Sequence, residues 1–96
     1  MGQAKVFRPK HLAAKLVAVR QALGLSQSQL ITKLGCQLTT ARVSEYESGT
    51  RVPSLLVLLA YAKLARVSVN VLIDDAIDLR FRKNFKAPKQ IARQLR

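Results

Sequence analysis

Apolar residues near the start of the chain recur at the spacing that places them on one face of an α-helix. They are Leu12, Leu16, Val19 and Leu23. Pro9 precedes them, and proline suits a first helical turn because the amide hydrogen that it lacks would have no partner there. Gly24 follows them and is the residue type that most often ends a helix. The pattern therefore predicts a first helix between Pro9 and Gly24.

A second, shorter helix is indicated by signals at both of its ends. Ser26 and Gln29 have the spacing of a capping box, in which each side chain accepts a hydrogen bond from the other residue's backbone N–H. The apolar residues Leu30 and Leu34 follow, and Gly35 supplies the stop. A helix of about two turns is not stable alone, so it must be held by burial against neighbours.

A third helix is expected directly afterwards. Thr39 or Thr40 offers a hydroxyl group as the N-cap, and Gly49 offers the stop. Val43 and Tyr46 are the inward-facing residues at helical spacing. The outward side is then formed by Thr40, Ala41, Arg42, Ser44 and Glu45.

Two further helices complete the predicted fold. Residues 55–64 are apolar on nearly every side, which is expected of a central helix packed against several neighbours, and Pro53 precedes or opens it. Ser68 offers the cap of a short fifth helix that ends at Ile73. Five short helices with tight connectors predict an all-α domain over residues 9–74.

The pattern changes after that domain. Apolar and charged residues alternate along residues 77–81, which is a period of two rather than 3.6. Two interpretations stay open: a short edge strand that pairs with the same strand of a second subunit, or an irregular tail or helical extension. The predicted organisation is a basic arm at residues 1–8, the helical domain, and a basic tail at residues 75–96 that is a candidate dimerisation segment.

The charge of the chain points to its partner. The 96 residues include 17 Lys and Arg against 5 Asp and Glu, which gives a net charge of +12. The excess lies at both ends: residues 1–35 have six basic and no acidic side chains, and residues 75–96 have seven basic and two acidic ones. Such an excess implies an anionic partner, most commonly nucleic acid, although a basic surface can also serve solubility alone.

The composition argues against several other classes of protein. Cys36 is the only cysteine, so an intrachain disulfide and a thiolate metal cage are both excluded, and a reducing cytoplasm is the expected location. No apolar run is long enough to span a membrane, and no signal peptide is evident. His11 has no other ligand at metal-binding spacing, and no catalytic constellation appears. We therefore expect neither a metal, a cofactor nor an enzymatic activity.

An ordered set of residues across the middle of the chain provides a family resemblance. It comprises Gly24-Leu25-Ser26-Gln27, Leu30, Leu34-Gly35, Ser44, Glu47-Ser48-Gly49, Pro53 and the segment 62–72. This set resembles the phage-repressor-like helix-turn-helix family, also called the XRE family, over residues 11–74. The resemblance implies a five-helix domain whose third helix reads operator DNA, usually as a dimer. The chain departs from the family pattern by two additional residues between Gly35 and Glu47, which we assign to the connector.

The resemblance and the side-chain chemistry together suggest which residues hold the DNA backbone. Gln27 lies in the first turn of the second helix, where free N–H groups and the helix dipole attract a phosphate oxygen. Arg51, in the loop after the third helix, is a second phosphate contact, and Lys10, Lys15 and Lys33 either add further ones or are simply solvated. The resemblance also implies a structural ion pair between Arg20 and Glu47.

The outward side of the third helix provides the candidates for reading bases. Thr40, Ala41 and Glu45 lie where the resemblance places base-contacting residues. Arg42 can bind guanine through two hydrogen bonds or can hold a phosphate, and both remain open. Glu45 can accept from cytosine N4 or can merely pair with Arg42 at i+3. The complete set of DNA-binding candidates is Gln27, Thr39, Thr40, Ala41, Arg42, Ser44, Glu45 and Arg51.

The sequence therefore predicts a sequence-specific transcriptional regulator that represses by occupying a promoter, as a homodimer on double-stranded DNA. The alternative is the antitoxin of a toxin–antitoxin pair, which would bind its own promoter and cover a toxin protein with residues 76–96. Non-specific DNA coating is a third interpretation, favoured by the charge and disfavoured by the elaborated third helix.

Overall fold

A computed structural model provides the three-dimensional structure, and it describes residues 9–81. The predicted basic arm, residues 1–8, and residues 82–96 of the tail lie outside the described residues. The described chain forms five helices and no strand, which confirms the all-α prediction. The helices are Leu12–Ala22 (α1), Gln27–Leu34 (α2), Thr40–Ser48 (α3), Leu55–Ala65 (α4) and Val69–Ile73 (α5).

Local capping explains where α2 and α3 begin and end. The Ser26 hydroxyl accepts from the Gln29 N–H at 3.1 Å while Gln29 Oε1 accepts from the Ser26 N–H at 2.9 Å, which is the predicted capping box. Thr39, not Thr40, caps α3, since its hydroxyl accepts from the Arg42 N–H at 3.1 Å. The stop of α2 is Gly35, with φ of 71°, in the left-handed conformation that glycine adopts without strain.

The core holds α2 and α3 in place through their contacts with α1 and α4. Helix α1 packs against α3, α4 and α5, while α2 packs against α3 and α4. The largest fully buried side chains come from all five helices and the turn after α1: Leu16, Val19, Leu23, Leu30, Val43, Tyr61 and Leu72. Helices α2 and α3 therefore form a rigid pair seated on α1 and α4.

The chain after α5 corrects one interpretation of the sequence. Residues 77–81 are irregular, so the proposed edge strand is wrong for the described chain. A strand needs a neighbouring strand for its hydrogen bonds, and the described residues provide none. The alternating apolar side chains have another use, because Leu79 and Phe81 pack, partly buried, against the helical core.

Lys15 anchors this segment instead of facing DNA. Its side chain is only 7% exposed, and its ammonium group donates to three backbone carbonyls at the end of and after α5. The acceptors are the carbonyl oxygens of Val71 at 2.7 Å, Asp74 at 3.1 Å and Ile77 at 2.7 Å. Because a buried ammonium needs such partners, Lys15 is structural, and a phosphate contact by Lys15 is ruled out.

Helix α4 is less buried than its sequence predicts. Leu55 is 68% exposed, Leu56 is 73% exposed and Leu59 is 38% exposed. Helices α1, α2 and α5 all contact α4, and its buried residues face them, whereas these leucines meet no neighbour in the described part of the chain that covers them. Composition shows that a helix is apolar all round, but only the packing shows which side is covered.

Asp75 ties the start of α1 to the end of the domain. Its carboxylate accepts from the backbone N–H groups of Lys10 at 2.8 Å and His11 at 3.0 Å. The His11 N-cap makes no capping hydrogen bond with its own side chain, so Asp75 satisfies N–H groups that α1 leaves open. These hydrogen bonds lower the pKa of Asp75 below its usual value, because they favour the charged carboxylate.

We expect Asp75→Asn to change how stability depends on pH. A carboxylate whose pKa is lower in the folded state stabilises the fold at a pH above its unfolded pKa, and this contribution is lost as the pH falls through the folded pKa. Urea unfolding from about pH 7 to about pH 2 should therefore show a smaller loss of stability for Asp75→Asn than for the wild type.

The control is Asp78→Asn, since Asp78 is exposed on the same segment and makes no hydrogen bond within residues 9–81. An equal loss of stability on acidification in the wild type and in Asp75→Asn would show that the Asp75 carboxylate does not hold α1.

Candidate nucleic-acid interface

The start of α2 and the middle of α3 form one continuous surface. The helices are separated by five residues, 35–39, and pack against each other. The Ser44 hydroxyl of α3 donates to Gln27 Oε1 of α2 at 3.1 Å. This hydrogen bond places the free N–H groups of the first α2 turn beside the outward side of α3, which is the arrangement of a helix-turn-helix.

The polar side of α3 is open to solvent. Val43 and Tyr46 are buried, as the spacing predicts. On the opposite side the residues are exposed or, for Glu45, half-buried. Those exposed are Thr40, Ala41, Arg42 and Ser44. This side is not packed against the described chain and is therefore open to a ligand.

Glu45 holds two of the candidate arginines on that surface. Its Oε1 atom lies 3.0 Å from Nε of Arg42 and 2.9 Å from Nε of Arg51. The i,i+3 pairing with Arg42 is visible in the sequence, but the pairing with Arg51 depends on the loop after α3 turning back. The three side chains keep 38–50% of their surface in solvent, so each pair contributes only tenths of a kcal/mol.

An ion pair beneath this surface joins α1 to α3. Arg20 donates from Nε to Glu47 Oε2 at 2.7 Å and from Nη2 to Glu47 Oε1 at 3.1 Å, and its Nη1 donates to the Leu25 carbonyl at 2.9 Å. The pair that the family resemblance implies is therefore present and bidentate. The hydrogen bond to Glu47 raises the pKa of Arg20, against a smaller opposing effect of burial.

Glu47 also orients Gln27, which sequence reasoning did not anticipate. The Gln27 amide Nε2 donates to Glu47 Oε1 at 3.2 Å, while Gln27 Oε1 accepts from Ser44. Carboxylates only accept, so this contact also fixes which end of the amide faces Glu47. One amide hydrogen is thus used inside the protein.

The structure sorts the sequence-predicted site residues into four groups. Gln27 and Ser44 are joined by a hydrogen bond, while Arg42, Glu45 and Arg51 form an ion-pair cluster. The outward side of α3 also includes Thr40 and Ala41, whose side chains are exposed. Thr39 differs from the others, since its hydroxyl is committed to capping α3.

Comparison with known proteins identifies the class to which the chain belongs. A family model described as helix-turn-helix matches residues 16–72, which is more than half of the chain. The chain belongs to this family, the XRE-type or phage-repressor-like helix-turn-helix proteins, and is a DNA-binding transcriptional regulator in the general sense. No curated protein and no solved structure matches the chain.

Two other kinds of feature are absent from residues 9–81. None of the helices in this part of the chain has the length and apolar character needed to cross a bilayer. Within the same residues, no three His, Cys, Asp or Glu side chains are grouped so that they could hold a metal ion.

We expect Glu47→Ala to destabilise the fold by about 3 kcal/mol, because it leaves Arg20 partly buried without its partner. The matched control is Glu45→Ala, two residues away on the exposed side of the same helix, which should change stability by less than about 0.5 kcal/mol. The measurement is urea unfolding at neutral pH. Equal destabilisation by the two substitutions would show that the Arg20–Glu47 pair has no special role.

Proposed function

We propose that this protein represses transcription by inserting α3 into the major groove of a specific operator. The observation that most supports this proposal is the open polar side of α3, aligned with the first turn of α2 by the Ser44–Gln27 hydrogen bond. In this arrangement α2 meets the phosphate backbone while α3 meets base edges.

The proposed backbone contacts come from two elements. The first α2 turn offers backbone N–H groups to a phosphate, and Gln27 stands at the first position of that turn. Arg51, exposed in the loop after α3, is the side chain that we assign to a second phosphate. The net charge of +12 adds the long-range attraction that brings the protein to DNA.

The proposed base contacts come from the exposed side of α3. Arg42 is the residue that we assign to guanine, whose O6 and N7 atoms accept two hydrogen bonds from one guanidinium group. Thr40 and Ala41 can contact a thymine methyl group. Glu45 pairs with both Arg42 and Arg51 in the free protein, and on binding these arginines exchange the carboxylate for DNA groups.

A homodimer would place two α3 helices in successive major grooves, about 34 Å apart, and would require an inverted repeat in the operator. Selection of bound sequences from random oligonucleotides tests this directly. We expect a symmetric consensus, whereas enrichment without sequence preference would contradict specific recognition. A regulator of this kind acts in the cytoplasm, and we assign it no cofactor and no catalytic step.

We prefer this function to that of an antitoxin for one reason. The antitoxin interpretation assigns the toxin contact to residues 76–96, of which 82–96 lie outside the described residues. In the described part, Leu79 and Phe81 already pack against the protein's own core. A purified complex with a toxin protein, bound through this tail, would reverse the preference.

Arg42→Ala and Arg51→Ala should have different effects on DNA binding. Arg42→Ala should cost about 1–3 kcal/mol on the preferred site and relax the base preference at one position. Arg51→Ala should weaken binding to all DNA sequences alike. It should also reduce the slope of the logarithm of the binding constant against the logarithm of the salt concentration by about one. Binding titrations with selected and scrambled duplexes at several salt concentrations measure both effects. A uniform loss for both variants would remove Arg42 from base recognition.

Glu45→Gln should tighten DNA binding by roughly threefold to tenfold, because it frees two arginines and removes a negative charge near phosphates. The control is Asp78→Asn, which changes the net charge equally at a site away from α3. Fluorescence anisotropy with the selected duplex is the measurement. Weaker binding with an altered preference at one base pair would instead show that the Glu45 carboxylate accepts from cytosine.

A further inference from the structure

An open apolar groove lies between the end of α2 and the exposed side of α4. It has a volume of about 470 Å³. Its apolar lining consists of Leu34, Leu56, Leu59, Ala60 and Leu64. Two lysines, Lys33 of α2 and Lys63 of α4, complete the lining, and both are exposed. We call this feature the α2–α4 groove.

The exposed leucines of the groove are not needed to build the core. The opposite side of α4 already supplies the buried residues Leu58, Tyr61, Ala62 and Ala65. Leu56 and Leu59 nevertheless remain 73% and 38% exposed on a domain of this small size. Clustered apolar side chains that stay in solvent are typical of a surface that binds another molecule.

The groove is separate from the surface proposed to contact DNA. That surface includes the first turn of α2, whereas Lys33 and Leu34 lie in its last turn, about 10 Å further along the helix. The lining is mostly aliphatic and offers only the two lysines to a phosphate backbone. The chemistry of the groove therefore suits a partner that brings apolar side chains.

Charge decides between the segments that could fill the groove. Lys33 and Lys63 make no ion pair within residues 9–81, so the groove has unneutralised positive charge. Residues 82–96 of the same chain are apolar in part, but they have six basic side chains and no acidic one. Like charges at close range repel, and the tail is therefore a poor occupant.

A second copy of the chain is also a poor occupant. In a two-fold contact between grooves, Lys33 and Lys63 of both copies would lie along the same seam. Of the five carboxylates in the chain, four are engaged in hydrogen bonds or ion pairs of their own domain. Those four are Glu45, Glu47, Asp74 and Asp75. Few carboxylates are thus left to pair with Lys33 and Lys63.

We propose that the α2–α4 groove binds an acidic, amphipathic helical segment of another protein. Leucine-sized side chains of that segment enter the apolar lining, and its carboxylates pair with Lys33 and Lys63. Because the groove and the polar side of α3 are different surfaces, the protein can hold this partner and DNA together. The proposal adds a protein-binding site and does not depend on the operator-binding proposal.

The test uses the full chain and a synthetic probe. The probe is a helical peptide with leucine at positions i, i+3, i+4 and i+7 and glutamate on its flanks. Two companion peptides replace either the glutamates by lysine or the leucines by alanine. We expect only the original peptide to bind the wild-type chain in calorimetric titrations, since each companion lacks one half of the recognition.

Matched variants then locate the binding site. Leu56→Ser should weaken binding of the probe by about tenfold or more. Leu55→Ser should leave the affinity for the probe within about twofold of that of the wild type. Leu55 is a matched control because it is comparably exposed but does not line the groove. Lys63→Glu should weaken binding of the original, glutamate-flanked peptide and allow the lysine-flanked companion to bind. Arg80→Glu removes the same charge elsewhere and should do neither.

Three results would overturn the proposal. The first is equal binding of the probe to the wild type, Leu56→Ser and Lys63→Glu, which would show that only the net charge attracts it. The second is a dimer in sedimentation equilibrium that Leu56→Ser dissociates and Leu55→Ser preserves, which would assign the groove to self-association. The third is a loss of duplex DNA binding in Lys63→Glu as large as in Arg51→Ala, which would assign the groove to the DNA surface.

Discussion

The hydrogen-bonded ion pair between Arg20 and Glu47 is the constraint on which the rest of the structure depends. It joins α1 to α3 through two hydrogen bonds, and a third bond from Arg20 reaches the turn before α2. Glu47 Oε1, which accepts one of these hydrogen bonds from Arg20, also accepts from the Gln27 amide at the start of α2. One carboxylate therefore sets the relative position of three helices. Helices as short as α2 and α3 have no stability of their own, so their mutual angle comes from this contact and from the core beneath it.

The consequence is a surface that is prepared for binding before any ligand arrives. Gln27 accepts a hydrogen bond from Ser44 and donates one to Glu47. These two hydrogen bonds fix the position of the first α2 turn relative to the polar side of α3. On the outer surface, Glu45 forms ion pairs with both Arg42 and Arg51, and these pairs are weak because they are open to solvent. The hydrogen bonds of Gln27 with Ser44 and Glu47 thus form the rigid part of the site. The charged groups around Glu45, at its outer surface, can exchange partners at low energetic cost. This division of roles suits a protein that must both hold its shape and change its ionic contacts on binding.

The two ends of α2 serve different chemistry. Its first turn offers N–H groups near α3, whereas its last turn contributes Lys33 and Leu34 to the apolar groove beside α4. Leu55 and Leu56 stay 68% and 73% exposed although α1, α2 and α5 all contact α4. A small domain can accept this exposure because the buried side of α4 already completes the core. The same five-helix arrangement therefore presents a polar surface on α3 and an apolar groove between α2 and α4.

The sequence by itself determined the helices, the caps of α2 and the family, because these depend on residues three or four positions apart. The Ser26–Gln29 capping box, the left-handed Gly35 and the buried Val43 all follow from such local spacing. The tertiary structure alone decided that Lys15 is buried under the segment after α5, that Asp75 caps α1, and that residues 77–81 are irregular. It also decided which leucines of α4 face water. These contacts join residues far apart along the chain, and no local pattern records them, because they depend on how whole helices pack.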